Sequence, residues 1–188
     1  MPPKVKITKE EIIAAALELL RQKGLEAVNA RAVAQMLGCS TQPIFSNYSS
    51  MADLQQDVLA AAYAEYSRWT EEQMKAGKYP PYKASGMAYI GFARQQPELF
   101  RVLFMRDRTG EPPQQEDEFT KRIIAMVMEK AGLSEAAARM LHLEMWIFVH
   151  GVASMLVTGY LNLEEEMISA ALTDLYFGQL QRQKGGTK

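Results

Sequence analysis

An all-α protein of about nine helices is what the sequence predicts, and three observations carry that expectation. Helix caps and glycine stops recur along the whole chain, and apolar residues repeat at helical spacing between them. No segment combines strand alternation with paired turn signals. With 188 residues the chain is long enough for one ordinary domain or two small ones. Apolar residues at 48% and charged residues at 23% are close to the globular average, which argues against gross disorder.

Each helix has its own signals. Thr8-Lys9-Glu10-Glu11 is a capping box opening a first helix with Ile12, Ile13, Ala16, Leu19 and Leu20 on one face, closed by Gly24. Asn29 caps a short second helix carrying Val33, Met36 and Leu37, which Gly38 ends. Ser40 is expected to cap a third, with Pro43 in its first turn, where a missing N–H costs little. Ser50 caps a long fourth helix reaching about Gly77. After the break Lys-Tyr-Pro-Pro-Tyr-Lys, helical pattern covers 84–95, and Pro97 opens a sixth helix to about Met105. Residues 107–117 form a polar loop. Further helices are expected over 119–130, from the Ser134 cap to about Tyr160, and over 164–181, before a frayed tail.

Composition removes several functions. A formal net charge of −1 excludes a polycation held on nucleic acid by bulk charge, although residues 1–50 carry six Lys/Arg against four Asp/Glu. The single cysteine, Cys39, excludes an internal disulfide, and two histidines exclude a Cys/His zinc site. No apolar run follows the N-terminal charges, so no signal peptide is read and a cytoplasmic location is expected. The apolar run Met145 to Tyr160 falls short of the about 20 residues of a membrane span and is bounded by glutamates. It is expected as a helix buried on all sides inside the protein or between subunits, with no membrane partner.

The informative segment is Asn29 to Leu54, a short helix, a Gly-x-Ser turn and a second short helix. Ala34 is small where two helices approach closely, and Gly38 can take the positive φ of the turn. Cys39, Ile44 and Phe45 are read as the apolar contacts of the second helix, leaving Thr41, Gln42, Ser46 and Asn47 outward. Residues 40–50 carry no charge, which favours readout by hydrogen bonds and apolar contact over arginine–guanine forks. A buried helical hairpin with a solvated polar face has the same spacing, so the spacing leaves both readings open.

Residues 8–54 resemble the N-terminal domain of TetR-type (tetracycline-repressor-like) transcriptional regulators. The matching elements are the capped first helix, Gly24-Leu25-Glu26-Ala27-Val28-Asn29, Arg31-Ala32-Val33-Ala34, Gly38-Cys39-Ser40, Ile44-Phe45-Ser46-Asn47-Tyr48 and Ser50-Met51-Ala52-Asp53-Leu54. Trp146-Ile147-Phe148-Val149-His150-Gly151 is similar to a Trp…His-Gly signature of one branch of that family, and Phe92-Ala93-x-x-x-Pro97-Glu98-Leu99-Phe100 to a second common element. The resemblance implies a helix-turn-helix DNA-binding head over 1–50 and a ligand-binding and dimerisation domain over 51–188. It implies a homodimer on a palindromic or near-palindromic double-stranded operator, released by a small-molecule effector. The DNA-binding residues expected are Lys6, Asn29, Arg31, Ser40, Thr41, Gln42, Pro43, Phe45, Ser46, Asn47 and Tyr48. Lys4 and Lys9 are further cationic candidates. Tyr48 is also expected to pack its ring in the head. Three positions depart from the family. Phe45 stands where a tyrosine hydroxyl usually bonds a phosphate, Asn47 where His or Tyr is common, and Met51 replaces a lysine.

Residues 55–188 hold no nucleotide-binding fingerprint, and no cofactor is expected. Trp146 and His150, four apart on one helix, are the expected polar handles of an apolar effector pocket, with Tyr66, Phe92 and Phe104 as further lining. A core histidine beside a core tryptophan is the plainer reading of the same pair. Val152, Met155, Leu172, Leu175 and Tyr176 are expected at a dimer interface built from the last two helices. An enzyme is the rival class. His142 and Glu144 stand two apart, on different sides of a helix, and no Ser or Cys sits in a nucleophile motif, so catalysis is not expected. An effector-independent architectural DNA binder is the remaining alternative.

Overall fold

A computed structural model describes residues 7–110 and 116–185. Among them are nine α-helices, one 3₁₀ turn at Leu25–Ala27 and no strand. The helices are α1 (Lys9–Lys23), α2 (Ala30–Met36), α3 (Gln42–Asn47), α4 (Met51–Lys75), α5 (Pro81–Gln95), α6 (Pro97–Phe104), α7 (Glu118–Ala131), α8 (Glu135–Val157) and α9 (Glu165–Gly185). The expected all-α class and helix order stand.

Caps place most of the boundaries. Thr8 Oγ1 accepts from the Glu11 N–H while Glu11 accepts from the Thr8 N–H, satisfying two otherwise orphaned donors. Ser50 accepts from Asp53, Asp117 from Thr120 and Ser134 from Ala137 at the starts of α4, α7 and α8. Two boundaries differ from expectation. Thr41, not Ser40, precedes α3; its side chain makes no cap bond, and Pro43 at the second helical position has no N–H to offer one. Similarly, α5 begins at Pro81 rather than at 84, so the second proline of the break is the first residue of a helix.

The chain packs into two compact units. The first comprises Met1–Arg68 with Gln95–Arg106, the second Trp69–Arg94 with Asp107–Lys188. The two units divide the chain within α4. Most of α4 and all of α6 go with the N-terminal helices. In the first unit α6 packs on α1. Ile12, Leu20, Val33, Ile44, Leu54, Val58, Leu99 and Phe100 are all sealed from solvent there.

In the second unit α8 packs against both α7 and α9. Phe92, Ile123, Val127 and Leu141 are its large buried side chains. Trp69 Nε1 donates to the Ala88 carbonyl at 2.8 Å. A Cβ at Gly86 would meet Leu172 Cδ2 and Val149 Cγ2 at 3.3 Å, so this glycine lets α5 approach α8 and α9 closely. By length and composition α8 is apolar enough to cross a membrane. Within the single subunit it is not buried on all sides: Met140, Leu143, Trp146, Ile147 and Met155 are exposed, which leaves only the between-subunit form of the expected burial.

Candidate functional site

The first unit carries a helix-turn-helix whose turn is built by backbone geometry. Asn29 caps α2, accepting from the Ala32 N–H at 3.0 Å and donating to the Ala27 carbonyl at 3.2 Å. Gly38 closes α2 with φ +64°. Its N–H donates to Gln35 O at 3.2 Å and the Cys39 N–H donates to Ala34 O at 3.0 Å, a Schellman closure. An added Cβ at 38 would meet nothing, so the positive φ alone asks for glycine.

Within α3, Ile44 is the buried side chain. At about 100° per residue, Gln42 and Ser46 point away from Ile44, Phe45 and Pro43 flank them, and Asn47 at the end of the helix lies nearer the Ile44 side. Gln42, Phe45, Ser46 and Asn47 are exposed. Ser46 Oγ donates to Gln42 O at 2.9 Å and Asn47 Nδ2 to Pro43 O at 2.8 Å, so these donors rest on their own helix. Thr41 and Pro43 are partly buried, and Ser40 is exposed.

The expected residues differ in exposure and in the partners their side chains hold. Phe45 does not hold α3 to α2; it is 54% exposed. Asn29 spends its amide on capping. Tyr48 is only 5% exposed, and its hydroxyl donates to Asp57 Oδ2 at 3.0 Å instead of standing open for a phosphate. Lys9 pairs with the same oxygen at 2.7 Å and lies 4.9 Å from the Tyr48 ring centroid. Burial and the Asp57 carboxylate hold the phenol well above its usual pKa. The Lys9 and Tyr48 hydrogen bonds hold the Asp57 carboxyl below its own. These three side chains tie the end of α3 to α1 and α4. Arg31 is exposed, while Lys4 and Lys6 lie outside the described residues.

A second cluster was not anticipated from the sequence. Arg21 Nη2 donates to both Glu65 oxygens at 2.9 and 2.8 Å, Nε donates to Gln96 Oε1 at 3.1 Å, and Nη1 bonds Glu18. One guanidinium thus joins α1, α4 and the start of α6. The Glu18/Arg21 spacing was the only local signal; partners 44 and 75 residues away leave none.

The expected effector residues divide between the units. Tyr66 and Phe104 meet edge to face in the first, with ring centroids 5.0 Å apart. Phe92 is buried in the second. There, too, Tyr89 Oη and His150 Nδ1 are 2.9 Å apart, and Trp146 stacks on the His150 ring at 5.2 Å. A parallel pair joins Tyr82 and His142 at 3.2 Å. Desolvation lowers the pKa of both histidines and so favours neutral imidazoles.

The expected dimer residues divide as well. Val152 and Leu172 are buried within the subunit, at 8% and 3% exposure, and so are closed to a partner. Leu175 and Tyr176 are partly buried and Met155 is exposed. Ile147, Met167 and Phe177, which sequence reasoning passed over, are exposed by 57%, 59% and 59%. An apolar groove of about 390 Å³ runs between α8 and α9, lined by Ile147, Gly151, Met155, Met167 and Ala171 among others. Gly151 and Gly178 sit inside helices, yet an added Cβ at either would meet nothing within 4 Å.

An all-α fold with this head is that of a helix-turn-helix DNA-binding regulator. Residues 82–175 match the tetracyclin repressor-like C-terminal domain, and residues 12–58 match the bacterial regulatory proteins of the tetR family. The chain belongs to the TetR family of transcriptional regulators. No curated protein matches the sequence significantly. Among solved structures, a TetR-like transcriptional regulator from Rhodococcus sp. RHA1 has a TM-score of 0.63 at 14% identity, with full coverage of both chains. A TetR variant from Acinetobacter baumannii AYE in complex with minocycline has a TM-score of 0.58 at 15% identity, covering 97% of this chain and 100% of that one. Another transcriptional regulator from Rhodococcus sp. Rha1 has a TM-score of 0.53 at 17% identity, covering 93% and 97%. At these identities the likeness concerns the fold.

Proposed function

We infer that this protein is a cytoplasmic homodimeric repressor whose α3 reads a palindromic operator in the major groove and whose grip is released by a small apolar or amphipathic effector. The observation that carries the reading is the exposed, uncharged arc of α3 opposite the buried Ile44. Gln42 and Ser46 offer hydrogen bonds at its centre, with the exposed Asn47 and the partly buried Thr41 at the two ends of the helix. Arg31 supplies a phosphate-facing charge. Few cations accompany them, so affinity rests on base contacts more than on counterion release.

Exposed apolar residues on α8 and α9 support a two-fold interface between subunits. Glycine inside a helix costs roughly 0.5–1 kcal/mol relative to alanine. Gly151 and Gly178 have no neighbour in their own subunit to explain that cost, whereas a closely approaching partner helix does. Two heads so joined read half-sites about 34 Å or more apart.

A double-stranded sequence selected from a random library by the full-length protein supplies the operator. Gln42→Ala is expected to lose about 1–3 kcal/mol of discrimination at one base position of each half-site, with helix content unchanged. Equal discrimination by the variant in gel-shift titrations would remove Gln42 from the reading face.

For the effector, the stacked Trp146–His150 pair joined to Tyr89 is the proposed polar-aromatic anchor. Movement reaches the reading helix through the first unit's own contacts: Asp57 on α4 holds Tyr48 at the end of α3, so a shift of α4 is passed to α3. A compound found by thermal-shift screening should bind about 5–150-fold more weakly in the presence of operator, because coupling is reciprocal. Equal affinities with and without operator would leave a DNA binder without an effector.

A further inference from the structure

We propose that Phe45 is a specificity-determining residue that packs on thymine C5-methyl groups, so the protein requires thymine at defined positions of each half-site. This rests on the major-groove reading proposed above. Phe45 is 54% exposed on a six-residue helix in which only Ile44 is buried. It flanks the arc of Gln42 and Ser46, and no charged residue stands between 40 and 50.

More than half of Phe45 stays in water in the free subunit, and covering that apolar surface with an apolar partner is favourable. The apolar feature a B-form major groove offers is the thymine methyl; the other base edges there present hydrogen-bond donors and acceptors. Ser46 and Asn47 donate to their own helix carbonyls, and beside the polar Gln42 the ring is the apolar element of the exposed arc. The occupant that fits this surface is therefore a methyl-bearing base.

The probe is the duplex selected by full-length wild-type protein, resynthesised with deoxyuridine in place of thymine one position at a time. Deoxyuridine keeps every hydrogen-bonding group and deletes only the methyl. Wild-type protein is expected to lose about four-fold affinity for each buried methyl removed, or about fifteen-fold when both half-sites are substituted. Phe45→Ala should bind the thymine duplex that much more weakly and be indifferent to deoxyuridine, while Phe45→Leu should keep part of the methyl dependence. Because Phe45 is exposed, circular dichroism and melting of Phe45→Ala should match wild type. Indifference of the wild type to deoxyuridine at every position would overturn the inference while leaving DNA reading intact. An equal deoxyuridine penalty in wild type and Phe45→Ala would assign the methyl contact to another residue and overturn it too. Failure of the wild type to select any sequence would overturn both this inference and the reading beneath it.

Discussion

Phe177→Asp is expected to turn the protein into a monomer, raising its dimer dissociation constant by at least about 100-fold. By two-fold symmetry each substitution appears twice in an isologous interface. A carboxylate taken out of water without a partner costs several kcal/mol, and about 1.4 kcal/mol is already ten-fold. Phe177 is 59% exposed in the single subunit, so its removal leaves the subunit's own packing in place. Leu175 is a poorer test, since it is partly buried and a charge there also strains the fold. Sedimentation velocity at micromolar concentration gives the oligomeric state. Operator affinity should fall with it by about 10²–10⁴-fold, because the second head no longer binds at high effective concentration. An unchanged dimer would place the interface elsewhere.

How legible this was in the sequence depended on distance along the chain. Caps are local: Thr8 with Glu11, Ser50 with Asp53 and Ser134 with Ala137 are each three residues apart, and they set three helix starts correctly. Gly38 was legible for the same reason. Periodicity, by contrast, tells which face of a helix is apolar but not what covers it. The apolar pattern of α8 and α9 therefore included Val152 and Leu172, which their own subunit buries, alongside Met155, which it exposes. The placement of α6 on α1 had no local signal. Tyr48 was half legible. Its ring packs in the head as read, but its hydroxyl's partner, Asp57, comes from the next helix, and nothing in the spacing marks that pair. Phe45 reads from the pattern as an apolar contact of α3 and from the family resemblance as a DNA-facing residue; its exposure of 54% goes against the first and leaves the second open to test.

Ile44→Ala should unfold the reading helix and cost about 2–5 kcal/mol of stability in the first unit, a large share of what a small head possesses. The reason lies in the length of α3. Six residues cannot sustain a helix in water, since nucleation is unfavourable and too few bonds follow it. α3 is held by its neighbours alone, and Ile44 is the one side chain of the helix itself that is fully withdrawn from solvent. Tyr48, just beyond its end, is held by Asp57 and Lys9 and anchors that end alone. Ile44→Val deletes one methylene and should cost about 0.5–1.5 kcal/mol, so the pair of variants grades the effect. Hydrogen exchange read peptide by peptide should show lost protection over residues 42–48 in Ile44→Ala, with the second unit's α7 and α8 protected as before. Operator binding should fall in step. The adjacent variant Phe45→Ala should show the reverse pattern, weaker binding with undiminished protection, because one side chain holds the helix and its neighbour uses it. If Ile44→Ala kept both its protection and its affinity, α3 would be anchored by something other than this side chain.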